Sequence, residues 1–342
     1  MTTELEKQFQ LLLPAIEAEM RSVLQADMAH SDDFYSLIHY HMGWADESLQ
    51  PTVVKSGKKI RPIFCLLVCQ AAGGDWEQAL PAAAAIEILH NFSLVHDDIE
   101  DVSPTRRGRT TLWKIWGEPL AINIGDAMFA LAHMAMLRLA DRGVDPAIVV
   151  QALKRFDETS IRLTQGQHAD MKFETRSDVA VGEYIDMITG KTAVLVSLCA
   201  ELGALIAGCD AETVKHYETF GRNIGLAFQV IDDILGIWGD EQLIGKSTST
   251  DITTKKKTLP VLYGLEQSEE LQQLYADTDN PDTAFVQEVT SLLGMIGADT
   301  FSNTKAAAYS QTALAHLEAA NPSGKAYEAL IQLVNMLLKR QH

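Results

Sequence analysis

The sequence is poor in several things that would announce a fold. Four cysteines are spread over 342 residues, at positions 65, 69, 199 and 209. None stands in a C-x-x-C or Cys/His zinc spacing, so neither a zinc site nor a disulfide framework is expected. Cys65 and Cys69 lie one helical turn apart in an apolar run and read as buried thiols. Aromatic residues make up only 7% of the chain against 47% hydrophobic. The apolar mass is Ala, Leu, Ile and Met, which favours helix over sheet. Basic residues are scarce as well: 28 Lys and Arg face 46 Asp and Glu, a formal charge of −18. That argues against general nucleic-acid binding and against adsorption to anionic membranes. The first twenty residues lack the basic start and apolar core of a signal peptide. No uninterrupted apolar run approaches the ~18–20 residues of a membrane span; the longest, Thr192 to Ala207, contains Glu201. A reduced, cytoplasmic protein is expected. Strand alternation, low-complexity linkers and solenoid repeats are missing too.

What is there is helical periodicity, almost throughout. It predicts helices over 4–26, 32–42, 63–72, from Trp76 or Pro81 to Asp101, and over 118–140, 145–173, 179–188, 191–207, 211–235, 258–266, 269–276, 281–295, 298–320 and 323–340. Ser31-Asp32-Asp33 reads as an N-cap, and Pro62 suits a first turn. Residues 103–109 and 237–257 read as loops by their Gly, Pro and polar content. An all-α bundle, one domain over 1–342 with the C-terminal helices packed onto it, is the simplest account.

The apolar run His90–Val95 passes into His96-Asp97-Asp98-Ile99-Glu100-Asp101. At about 100° per residue, Asp97, Asp98 and Asp101 share a face, Asp101 one turn above Asp97. Like charges this close repel, and the helix dipole disfavours anions at a C-terminal end. A cation offsets both costs. Hard oxygen ligands with room for water suit Mg²⁺ shared with a phosphate. A second apolar helix repeats the pattern about 130 residues later: Gln229, Asp232, Asp233 and Gly236 fall at i, i+3, i+4 and i+7. Two such ends facing each other would clamp metal, as carboxylates do inside other bundles. Either cluster alone also reads as a solvated acidic helix end.

Cations recur beside glycines: Lys58 and Arg61 after Gly57; Arg106, Arg107 and Arg109 around Gly108; Lys191 after Gly190; Lys246 after Gly245; then Lys255-Lys256-Lys257. Singly each is an ordinary surface cation. Together with two Asp clusters they point to metal-bridged diphosphate chemistry, Arg giving forked contacts and Lys a point charge.

In these motifs, over about residues 50–265, the chain resembles the trans-isoprenyl diphosphate synthases (polyprenyl synthetases), short-chain type. GKKIRP resembles the family's GGKRxRP, and HNFSLVHDDIED its first Asp-rich motif. SPTRRGRTT resembles its double-arginine loop, Gly125-Asp126 its GD, QGQHAD its GQxxD and Gly190-Lys191-Thr192 its KT pair. GLAFQVIDDILGIWGD and GKSTSTDITTKKKTLP resemble the second Asp-rich motif and its lysine loop. The resemblance implies the isoprenoid synthase type I fold, an all-α helical bundle around a central cavity. It implies Mg²⁺, three ions per site with Mn²⁺ able to substitute, held by Asp97, Asp98, Asp101 and Asp232, with Asp233 supporting and Gln167 and Asp170 beside them. It implies Arg106, Lys191, Thr192, Gln229, Lys246 and Lys256 on the allylic diphosphate, and Lys58, Arg61, His90 and Arg107 on isopentenyl diphosphate. Dimethylallyl, geranyl and farnesyl diphosphates are the implied primers, and a homodimer the implied assembly. One departure stands out. The family's second motif is usually DDxxD, and here its last position is Gly236; Asp240 could contribute through the loop.

The growing tail is expected to run down the first motif's helix. Relative to Asp97, Ile86, Ser93 and Leu89 lie about 20°, 40° and 80° round, and Phe92 about 140°. Ser93 is small and cannot block, while Phe92 would narrow the tunnel from the side. In the resembled family a single aromatic at the Phe92 position, without an insertion in the Asp motif, goes with C20; C15 and longer products stay open. A class I terpene cyclase is a competing reading, but its second metal motif usually begins Asn-Asp, a dipeptide this chain lacks. A non-catalytic regulatory subunit is another, supported by Gly236 alone.

Overall fold

The computed structural model describes residues 2–25, 33–54, 57–239, 250–278 and 281–338. Its contacts divide the chain into two compact units, three of the five divisions falling inside helices. The first unit comprises 1–154, 202–209 and 323–330. It opens with α1 (Glu4–Val23), started by a capping box in which Thr3 and Glu6 satisfy each other's backbone N–H. Then come α2 (Phe34–Met42), α3 (Ile60–Ala71) and α4 (Trp76–Glu100), the last capped by the Asp75 side chain. α4 packs on α3, α1 and α6. It is buried from Ala79 through Leu89 on every side, so its apolar positions ring the axis instead of forming one stripe. Ala82 to Ala85 are fully enclosed, where small side chains let neighbouring helices approach.

After α4 the structure departs from the expected loop. Thr105–Arg106 and Arg109–Thr110 pair as a two-residue antiparallel hairpin, β1 and β2. The turn residues Arg107 and Gly108 both have positive φ, 52° and 76°, which matches the twist of a tight hairpin. α5 (Leu112–Trp116) and α6 (Glu118–Leu137) follow, then the start of α7 (Pro146–Thr175).

The second unit comprises 155–201, 210–322 and 331–342. Here α7 continues, followed by α8 (Val181–Ile188), a π-helical turn at Thr189–Ala193, and α9 (Val194–Ile206). The centrepiece is α10 (Ala211–Trp238), capped by Asp210 and packed most extensively against α15 (Ala298–Ala319). The others are α11 (Thr250–Thr253), α12 (Leu259–Gln267), α13 (Glu269–Asp277), α14 (Thr283–Ile296) and α16 (Gly324–Leu338). One apolar cluster joins Tyr184, Met187, Val230, Ile234 and Leu259, and another gathers Ile237, Ile252, Val261, Phe285 and Leu293.

The all-helical reading holds, and α10 runs to Trp238, three residues past the expected end. The expected 191–207 helix instead begins in the π turn. Two helical stretches, Glu118–Arg142 and Val181–Ile206, reach the length and mean hydropathy of a membrane span, 1.5 and 1.4, though charged residues interrupt both. The second run is 61% buried within the protein and the first 39%. No cysteine among the described residues is bonded to another; Cys65, Cys69 and Cys199 are buried.

Candidate active site

In the first unit, the acidic end of α4 does not present three equivalent carboxylates. Asp98 is buried and accepts from Arg106 Nε at 2.6 Å, whereas Asp97 is half-buried and Asp101, the C-cap residue, is exposed. Burial raises the Asp98 carboxyl above its ordinary value, and the Arg106 charge opposes that rise. The shared face inferred from spacing is thus split by environment: Asp98 orients Arg106, and Asp97 and Asp101 stay accessible.

The hairpin sets three arginines to different tasks. Arg109 donates to the carbonyls of Tyr40 and Ala45 at 2.7 and 2.8 Å and stacks 4.0 Å over the Tyr40 ring. With the Tyr40 hydroxyl donating to Thr110 O at 2.7 Å, this fixes the hairpin to α2. Arg106 pairs with Asp98. Arg107 holds a left-handed backbone, and its guanidinium lies flat on Gly57: a Cβ there would meet Cζ, Nη2 and Nη1 at 3.1, 3.1 and 3.2 Å. A side chain at 57 would crowd this guanidinium by a few tenths of an ångström.

Behind them, Arg61 Nη1 lies 3.3 Å from His90 Nε2. A guanidinium only donates, so this nitrogen accepts and the ring is neutral. Burial, reinforced by Arg61 and Arg107, holds the His90 pKa well below its ordinary value. Tyr40, His41, Asp98, Arg106, Arg107 and Arg109 line one cleft. Lys58 lines a second, with Phe9, Leu13 and Pro14 of α1. His41 was not singled out from the sequence; its only signal is its place among His39, Tyr40 and His41, well before the recognisable motifs.

Down α4, Phe92 meets His96 and Phe129 at ring distances of 4.9 and 5.1 Å, and Phe129 meets His133 at 4.7 Å. Phe92 therefore faces α6. Ser93 is half-buried and donates to His90 O at 2.9 Å, while Leu89 and Ile86 are fully buried.

In the second unit, the second acidic motif also divides its labour. Asp232 is exposed. Asp233 is buried and accepts three hydrogen bonds: from Tyr184 Oη at 2.5 Å, Gln229 Nε2 at 3.0 Å and the Leu259 N–H at 3.1 Å. Burial still pushes its carboxyl up to about 6. Gln229 Oε1 in turn accepts from Thr192 at 3.0 Å. A polar chain thus joins the π turn to α10. Asp170 holds the Lys191 ammonium in an ion pair. The π turn lies backbone to backbone on its neighbours: a Cβ at Gly166 would run into Lys191 N, and one at Gly225 would come within 2.6 Å of Ala193 Cα. Such π insertions recur at functional sites because the extra residue re-aims the side chains after it; here those are Lys191 and Thr192. Lys256 is exposed, its N–H bonded to Asp251 O at 2.8 Å. Asp240 and Lys246 lie outside the described residues.

Among the described residues, no three of His, Cys, Asp and Glu converge as a closed metal cage. The donors present are a sparse set of carboxylates, Asp97 half-buried and Asp101 and Asp232 exposed. That fits Mg²⁺, which keeps several waters and takes its remaining ligands from substrate phosphate, and does not fit a caged transition metal.

Each unit thus carries a carboxylate-ended helix with cations beside it, the first on a hairpin of arginines and the second on a π turn with a Lys-Thr pair, and relatives of known class share the chain's sequence. Residues 42–293 match the family model described as polyprenyl synthetase. The chain is 40% identical over 264 residues to a (2E,6E)-farnesyl diphosphate synthase of Mycobacterium tuberculosis, covering 76% of this chain and 72% of that one. It is 36% identical over 306 residues to a geranylgeranyl diphosphate synthase of the same organism, covering 88% and 85%. A crystal structure of geranylgeranyl pyrophosphate synthetase from Pyrococcus horikoshii superposes with a TM-score of 0.87 at 32% identity, over 98% of both chains. The chain belongs to the polyprenyl synthetase family, with the isoprenoid synthase helical fold, and is a short-chain prenyl diphosphate synthase.

Proposed function

We propose that this enzyme condenses isopentenyl diphosphate with an allylic diphosphate (dimethylallyl, geranyl or farnesyl) and stops at C20, geranylgeranyl diphosphate. The supporting observation is the cleft in which Asp98 holds Arg106 beside Arg107, with neutral His90 holding Arg61: guanidinium groups set to bind diphosphate. Mg²⁺ would be held by Asp97, Asp101 and Asp232, with Asp98 acting through Arg106. When bound, it neutralises the allylic diphosphate and makes it a leaving group.

The chain's own residues do the rest. Arg106, Lys191, Thr192, Gln229, Lys246 and Lys256 hold the allylic diphosphate; for this Lys191 exchanges Asp170 for phosphate oxygen. Lys58, Arg61, His90 and Arg107 hold isopentenyl diphosphate, His90 by orienting Arg61. The allylic C–O bond breaks, the isopentenyl double bond attacks the allylic carbon, and a proton leaves to the departing diphosphate. The apolar stem of α4 excludes water that would quench the cation. Asp233 fixes the geometry of Gln229 and contacts no substrate.

Phe92 against Phe129, with small Ser93 beside it, supports a tail channel that admits C20. We further infer that the two compact units act as one domain, in a cytoplasmic homodimer. The exposed apolar residues Leu120, Ile122, Met134 and Leu137 of α6 support the pairing. Chromatography of the product formed with farnesyl diphosphate as primer tests the chain length: C20 is expected, and a C30 or longer product overturns it.

A further inference from the structure

Four arginines belong to or border the cleft of the first unit, and three have acceptors. Arg106 has Asp98, Arg109 has the Tyr40 and Ala45 carbonyls, and Arg61 has His90. Arg107 has no hydrogen bond among the described residues; its guanidinium rests on Gly57. In the same cleft one acceptor has no donor. His41 Nε2 is buried and without a hydrogen-bond partner. The backbone of Asn91 on α4 faces the ring and favours a proton on it.

A buried, unpartnered acceptor carries a cost comparable to a lost hydrogen bond unless something meets it in the working state. The ring is neutral: burial and then the charges of Arg107 and Arg106 push its pKa down to about 3. A neutral imidazole with its proton on Nδ1 offers a lone pair at Nε2, the complement of a guanidinium N–H.

We propose that His41 is the positioning residue for Arg107: when a diphosphate occupies the cleft, Arg107 leaves the Gly57 surface and one N–H docks on His41 Nε2. The remaining N–H groups then face the diphosphate. His41 thereby does for Arg107 what Asp98 does for Arg106 and His90 for Arg61. A second carboxylate beside Asp98 would cancel more of the cleft's positive charge, and a protonated histidine would repel the arginine. The proposal rests on the reading that Arg107 binds the isopentenyl diphosphate.

The test is a double-mutant cycle on the full-length enzyme, with His41→Phe, Arg107→Ala and the double variant. KM for isopentenyl diphosphate, KM for the allylic primer and kcat are measured, with circular dichroism and melting temperature as controls. His41→Phe is expected to raise KM for isopentenyl diphosphate about tenfold, as for a lost hydrogen bond to a charged group, and to leave the primer KM unchanged. Added to Arg107→Ala it is expected to raise that KM no further. His41→Gln, which restores an acceptor, is expected to recover most of the loss. Additive effects of the two substitutions, or an unchanged KM in His41→Phe, would overturn the proposal. If His41→Phe fails to fold, His41→Gln against His41→Leu decides: equal KM values in that pair also overturn it. Failure of the wild-type enzyme to use isopentenyl diphosphate would instead overturn the reading beneath it.

Discussion

The Asp251 carboxylate stands over the bare face of Gly236, so close that a Cβ built at 236 would overlap its Oδ2. Gly236 is the position at which the family's second motif usually carries its third aspartate. The departure noted in the sequence thus has a physical partner: an acidic side chain from α11 occupies the space where one from α10 would begin. The bare face at 236 makes room for Asp251. Gly236→Ala is expected to displace Asp251 while changing stability little, because the ~1 kcal/mol helix preference of Ala over Gly offsets the crowding. The Mg²⁺ concentration giving half-maximal activity is expected to rise severalfold. A metal titration indistinguishable from wild type would show that Asp251 serves packing alone.

Arg107 gives a prediction in which stability and activity move apart. A non-glycine residue at φ 52° stores strain on the order of 1 kcal/mol, kept where function needs the side chain. Arg107→Gly is expected to hold or slightly raise the melting temperature. KM for isopentenyl diphosphate is expected to rise at least tenfold, as for a lost charged contact. A destabilised variant with normal KM would mean that Arg107 shapes the hairpin and nothing more.

Asp233 supplies a pH signature. Its folded-state pKa, about 6, lies above the ordinary 3.8. A raised pKa means the folded state binds the proton more tightly, so the stability it contributes is full below about pH 3.8 and is lost as pH rises through about 6. In metal-free buffer the melting temperature of the wild type, relative to Asp233→Asn, is expected to fall as pH rises across that window. Parallel curves for the two proteins would contradict the assignment.

Product length tests the stem of α4. Ser93 borders Phe92, whose ring already rests on Phe129. Ser93→Phe adds a second aromatic on that wall and is expected to shift the main product from C20 to C15. Phe92→Ala is expected to lengthen it. Mass spectrometry of the dephosphorylated alcohols reads both. An unchanged product from both variants would place the channel elsewhere.

Most of the helical frame was legible because 3.6-residue periodicity is strong over long elements such as α4, α7 and α10. The hairpin was not, because two-residue strands carry no alternation and Arg107 does not look like a residue with positive φ. The π turn was hidden for a similar reason: its signal is a contact, Gly166 against the Lys191 backbone, and no local pattern reveals that. Spacing located both Asp clusters, yet it could not say which carboxylate of each pair is buried. In both clusters the second, Asp98 or Asp233, turns inward to organise a neighbour, and the first is less buried. His41 escaped notice because its meaning depends on Arg107, sixty-six residues later.

The central claim is metal-dependent head-to-tail prenyl transfer, and incubation of the purified protein with labelled isopentenyl diphosphate and C5, C10 or C15 allylic primers tests it most directly, with Mg²⁺ and with chelator. The account predicts extension to C20 with Mg²⁺ and none with chelator. Absence of extension with every primer, in protein shown to be folded, would contradict it.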